Sequence, residues 1–82
     1  VVTILFFAQL REQLGCEKTQ AEIKLPISVS ELRDVLVNKH PDWKQFLGNE
    51  KLLFSVNKVL VKASHHVNND DEVAFFPPVT GG

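Results

Sequence analysis

The sequence predicts a two-layer α+β domain, a mixed sheet of about five strands lying against one main helix. Three observations predict it. Apolar, β-branched and aromatic runs stand at both ends of the chain and again in its second half. One stretch, SVSELRDVLVNKH, carries apolar residues at helical spacing. Eighty-two residues suit a single small domain, and no repeat, linker or low-complexity segment divides it.

The elements follow in order. VVTILFFA is a strand by composition, and AQLREQLG a short helical turn closed by Gly15. KTQAEIKLP is a second strand, with Ala21, Ile23 and Leu25 on one side, Glu22 and Lys24 on the other, and Pro26 at its end. In the main helix Ser28 and Glu31 have capping-box spacing, and Val29, Leu32, Val35 and Leu36 share a face. Pro41 stops it. PDWKQFLG is a further short helical piece that folds Trp43, Phe46 and Leu47 onto the core, closed by Gly48. LLFSV and VLVKA form a hairpin across Asn57-Lys58, since Asn tolerates the left-handed conformation of a tight turn. HHVNNDD is a polar turn, and EVAFF the last strand.

Composition excludes several classes. Nine Lys/Arg against ten Asp/Glu give a formal net charge of −1, with no basic stripe for nucleic acid. The single cysteine, Cys16, cannot close an internal disulfide, and no CxxC pair is present, so a reducing, cytoplasmic setting is expected. The apolar run at the start is too short to span a membrane. No Ser/His/Asp set, catalytic carboxylate pair or Gly-rich phosphate loop occurs, so catalysis by this chain alone is not expected.

The sheet presents a problem. One main helix covers one face, yet the first and last strands are apolar on both. Leu5 and Phe7 share one parity, Ile4 and Phe6 the other; Val73 and Phe75 alternate with Ala74 and Phe76. Either the chain buries both faces itself, or the second face docks a partner. The chain has too few elements to cover it, which favours docking. Phe7, Leu60 and Phe76 are the candidates.

The tail presents a second. After the domain, residues 1–76, six residues remain: Pro77, Pro78, Val79, Thr80, Gly81 and Gly82. Fully extended they reach about 20 Å. Pro-Pro favours a stiff, extended start, and two glycines pass a narrow channel. An α-carboxylate at Gly82 is ionised at neutral pH and a poor electrophile. Acyl chemistry requires its activation, most simply as an acyl-adenylate from ATP. Sulfide or a persulfide as the next nucleophile leads to a terminal thiocarboxylate. Gly-Gly alone is a weak signal; Pro-Pro before it and a hydrophobic strand leading in sharpen it.

ILFFAQLRE, KLLFSVN and above all DEVAFFPPVTGG resemble the small subunits of molybdopterin synthase, the MoaD family of sulfur carriers. The resemblance covers essentially the whole chain. It implies a ubiquitin-like β-grasp fold. It implies that Gly82 is adenylated by an ATP-dependent, E1-like activating enzyme and converted to a thiocarboxylate. It implies that the tail enters the active site of a large synthase subunit and gives sulfur to cyclic pyranopterin monophosphate. The family's assembly is a heterotetramer, and its docking surface falls on Phe7, Leu60 and Phe76. No cofactor bound by this chain is implied. Rival readings are a thiazole-type sulfur carrier, a ubiquitin-like modifier joined to target lysines, and a plain interaction module using the sheet face alone.

Other residues have blander readings. Glu12 and Glu17 near Cys16 argue against an activated thiol. His65 and His66 point to opposite faces and suit a polar loop better than a metal site. His40 is expected to cap the main helix. Arg11 and Glu12 are evenly balanced between partner contact and solvated turn. Asn69 to Glu72 are more simply a solvated turn than an acidic docking spot.

Overall fold

The computed structural model describes residues 1–49 and 51–77. The main sheet has five strands: β1 (Val2–Phe6), β2 (Lys18–Ala21), β4 (Leu53–Val56), β5 (Val59–Val61) and β7 (Glu72–Phe76). Their order is β2-β1-β7-β4-β5. β1 and β7 run parallel at the centre, and every other pairing is antiparallel. β3 (Ile27–Ser28) and β6 (His66–Val67) form a separate two-stranded ladder. The helices are α1 (Gln9–Leu14), α2 (Val29–Lys39) and α3 (Lys44–Leu47), with a 3-10 turn over Pro41–Trp43. This is the expected α+β, β-grasp arrangement of a mixed sheet on one main helix.

Helix α2 begins where its sequence demands. The Ser28 side chain accepts from the Glu31 N–H at 3.1 Å, and the Glu31 carboxylate accepts from the Ser28 N–H at 3.3 Å. The next two orphan donors are also satisfied: Val29 and Ser30 N–H donate to the His65 and Ala63 carbonyls at 3.0 and 2.9 Å. The β3/β6 ladder places those carbonyls, pairing Ile27 with Val67 and Ser28 with His66. The polar turn expected at HHVNNDD thus contains a short strand. Two residues are too few for any period to show in sequence.

β2 falls furthest short of its expected run; β1 and β5 are trimmed less, to Val2–Phe6 and Val59–Val61. β2 stops at Ala21, which pairs with Val2 at the start of β1. Beyond it no partner strand remains to continue the ladder. Burial still alternates to Leu25, with Ile23 and Leu25 packed partly against the core and Glu22 and Lys24 exposed.

The core lies between α2 and one sheet face. Val2, Ile4 and Phe6 of β1, Val73 and Phe75 of β7, and Phe54 and Val56 of β4 are buried with Val29, Leu32 and Leu36 of α2. Trp43 and Leu47 fold in as expected, and Trp43 meets the Phe6 ring edge-on at 5.3 Å. Gly15 ends α1 at φ 66°, a left-handed cap that suits glycine. Gly48 acts differently. Its φ is −77°, and a Cβ there would lie 2.7 Å from the Lys44 carbonyl oxygen, so close approach excludes a side chain.

Candidate docking face and tail root

The open sheet face is built by register. Leu5 of β1 pairs with Ala74 of β7, Ala74 with Ser55 of β4, and Ser55 with Leu60 of β5. Period-two alternation sends these four side chains to the side away from α2. The next row holds Phe76 opposite Leu53. Phe7 joins that row because its N–H donates to the Phe75 carbonyl at 3.2 Å, one step past the end of β1. The Phe7 and Phe76 rings then stack, centroids 5.0 Å apart and planes 7° from parallel.

Ala74 and Ser55 are small, so the middle of the face is a shallow hollow walled by Leu5, Phe7, Leu60 and Phe76. Lys58 and Glu72 close its polar end. Leu60 is 68% exposed, Phe7 40% and Leu53 40%, unusual values for large apolar side chains placed side by side. The structure therefore brings Phe7, Leu60 and Phe76 together. Sequence reasoning missed Leu53, Ser55 and the Lys58/Glu72 rim. Parity already set Leu5 beside Phe7 and Ala74 beside Phe76; only register puts Ser55 and Leu60 in line with them.

Strand β7 delivers the tail. Phe76 ends it on the open face, and Pro77 follows at a cleft between α1 and α3. Pro78, Val79, Thr80, Gly81 and Gly82 lie outside the described residues. The tail thus departs from the central strand, beside the aromatic stack.

The remaining candidates occupy ordinary positions. Cys16 is half-buried, its Sγ 3.4 Å from the Lys18 carbonyl oxygen. Arg11 and Glu17 form a loose exposed pair at 3.9 Å. His66 lies in β6, and no group of three potential metal ligands gathers among the described residues. Asp71 is engaged in structure: its carboxylate accepts from Asn57 Nδ2 at 3.0 Å and from the Asn68 N–H at 2.8 Å. His40 occupies the capping position, where its N–H donates to the Leu36 carbonyl at 2.9 Å. Its ring has a further role, stacking on Trp43 at 4.0 Å. No helix among the described residues is long and apolar enough to cross a membrane.

A sequence model of the ThiS family matches residues 4–82, nearly the whole chain. The chain belongs to the ThiS family. Curated relatives bear out the expected likeness to molybdopterin synthase sulfur carriers. The chain is 43% identical over 82 residues to the molybdopterin synthase sulfur carrier subunit of Escherichia coli (strain K12), covering 100% of both chains. It is 40% identical to the protein of that name from Haemophilus influenzae, again over 100% of both. Among solved structures, SAMP1 of Haloferax volcanii superposes with a TM-score of 0.81 at 25% identity, covering 99% of this chain and 98% of that one. The ThiS-family fold thus carries the open apolar face described above.

Proposed function

We propose that this chain is the sulfur-carrier small subunit of a molybdopterin synthase. The observation that carries the reading is the continuity of patch and tail: Phe76 belongs to the apolar face, and the Gly-Gly end follows it in the same strand-to-tail run. The full-length likeness to sulfur carrier subunits supports it.

In this reading the open face, through Phe7, Leu60 and Phe76, docks two partners in turn. One is an E1-like activating enzyme. There the Gly82 carboxylate attacks the α-phosphate of ATP, pyrophosphate leaves, and an acyl-adenylate forms. Sulfide sulfur, or its persulfide equivalent with a thiol reductant, attacks the acyl carbon and expels AMP, leaving a thiocarboxylate. The other partner is the large synthase subunit, in a heterotetramer in the cytoplasm. There the thiocarboxylate sulfur attacks a side-chain carbon of cyclic pyranopterin monophosphate and displaces the oxygen held there. Hydrolysis of the acyl–sulfur bond leaves the sulfur on the pterin and returns the carboxylate, and a second charged carrier supplies the second dithiolene sulfur in the same way. Residues 77–82 act as a thin extended arm, with residues 1–76 as its handle. This chain holds no cofactor and performs no catalysis itself; the pterin phosphate site and the proton-transfer groups belong to the large subunit.

The test is intact mass after incubation with ATP, a sulfur donor and the activating enzyme. The expected result is replacement of one oxygen by sulfur, mapped to Gly82, followed by sulfur transfer to the pterin. No mass change with a demonstrably active enzyme overturns the reading. Solved structures of small archaeal modifier protein 1 share this fold, and the second reading is attachment through Gly82 to target lysines. Isopeptide-linked products without sulfur transfer would establish that reading instead.

A further inference from the structure

We propose that the cleft between α1 and α3 is a second docking element, which holds an extended, uncharged main-chain segment of the protein that receives the tail. The proposal rests on the carrier reading and adds a surface to it.

Four primary amides line this cleft: Gln9 and Gln13 from α1, Gln45 from α3, and Asn49 just beyond it. Leu10 contributes an apolar wall, and Pro77 lines the side where the tail departs. Among the described residues, no lining side chain is charged. A primary amide both donates and accepts, so a row of them matches the alternating N–H and C=O groups of a peptide backbone. Among the described residues, neither Gln9 nor Gln13 makes a side-chain hydrogen bond, and Gln45 makes only a long one, 3.4 Å to the Asp42 carbonyl. Asn49 Oδ1 accepts from the Lys51 N–H at 2.9 Å, which leaves its amide donors directed elsewhere.

Two arguments select the occupant. The first is continuity. The cleft joins the apolar face twice along the chain, from Phe7 through Ala8 to Gln9, and from Phe76 to Pro77. A protein that covers Phe7 and Phe76 and follows the chain to Pro77 meets this cleft next. The second is charge. A segment ending in a carboxylate would find no cation among the described lining residues to neutralise it. A neutral backbone suits the amides, which argues for the partner's main chain over this chain's own end.

The test uses the full chain and the purified large subunit of molybdopterin synthase, titrated by calorimetry. Replacing Gln13→Ala and Gln45→Ala together removes two hydrogen-bonding groups, and Kd is expected to rise on the order of tenfold. The loss should be the same at low and high salt, since no charge is involved. Gln13→Glu with Gln45→Glu, which removes the donors and adds anions, should weaken binding further. Both glutamines are exposed, so thermal unfolding should be unchanged. Asp34→Ala, on the far side of α2, should bind as the unsubstituted chain does. An unchanged Kd for both glutamine pairs, beside measurable binding of the unsubstituted chain, overturns the cleft and leaves the carrier reading intact. No binding of the unsubstituted chain removes the carrier reading and the cleft proposal with it.

Discussion

The Phe7 and Phe76 rings are stacked, 5.0 Å between centroids, although they stand near opposite ends of the chain. Parallel pairing of β1 with β7 is what brings them together. The stack turns two strand ends into one surface at the point where the tail departs. Both rings remain partly exposed, so the pair contributes more to a surface than to the core.

Phe7→Ala tests that division. Loss of the stack should cost the fold about 1 kcal/mol. Affinity for the large subunit should fall by more, about 2 kcal/mol, as for a central aromatic anchor. Urea unfolding and calorimetric titration of the same preparation compare the two.

Leu60→Asp separates docking from folding more cleanly. Leu60 is 68% exposed, so stability should stay within about 0.5 kcal/mol. Docking would bury an unpaired carboxylate against apolar surface, and binding should weaken at least about 100-fold. Retained binding would mean that the open face is not the docking face.

Ser28→Ala removes the side-chain acceptor for the Glu31 N–H. The expected cost is about 1 kcal/mol, seen as a lower urea midpoint at an unchanged slope. Docking and sulfur loading should persist, since Ser28 lies at the start of α2, under the opposite face of the sheet.

Leu32→Ala opens a cavity under the sheet. Leu32 is fully buried, and such truncations cost about 2–5 kcal/mol. A domain of this size has a total stability of the order of 5–15 kcal/mol, so the helical circular-dichroism signal should melt at a visibly lower temperature.

Deleting Gly81-Gly82, or adding residues after Gly82, should abolish sulfur transfer while leaving the unfolding midpoint and most of the docking affinity intact. A plain interaction module predicts full function in both variants. An assay of sulfur transfer to the pterin distinguishes them.

Much of this architecture is legible in the sequence because local rules and tertiary structure agree. Ser28 and Glu31 announce the capping box that forms. Asn57 and Lys58 announce a tight hairpin, and both adopt positive φ, 51° and 72°. Parity in β1 separates the buried Ile4 and Phe6 from Leu5 and Phe7, which are not buried; in β7 the small Ala74 is buried along with Val73 and Phe75. What stays hidden depends on partners distant in the chain. β2 ends at Ala21 because β1 begins at Val2, which no pattern within KTQAEIKLP encodes. The β3/β6 ladder is too short for periodicity. The His40–Trp43 stack and the amide cleft arise from the path of the chain after α2. The exposed trio Phe7, Leu60 and Phe76 is intermediate: parity permits it, and strand register assembles it.

The parallel pairing of β1 and β7 has a mechanical consequence. Tension between the chain's two ends runs along these neighbouring strands in opposite senses and shears the hydrogen bonds between them. Bonds in shear share the force and fail together, whereas bonds peeled from an edge fail singly. Pulling on the tail therefore stresses the centre of the sheet, and single-molecule stretching should show one abrupt rupture. In the proposed carrier role, the grip on the last few residues would attach where the fold best resists being drawn out.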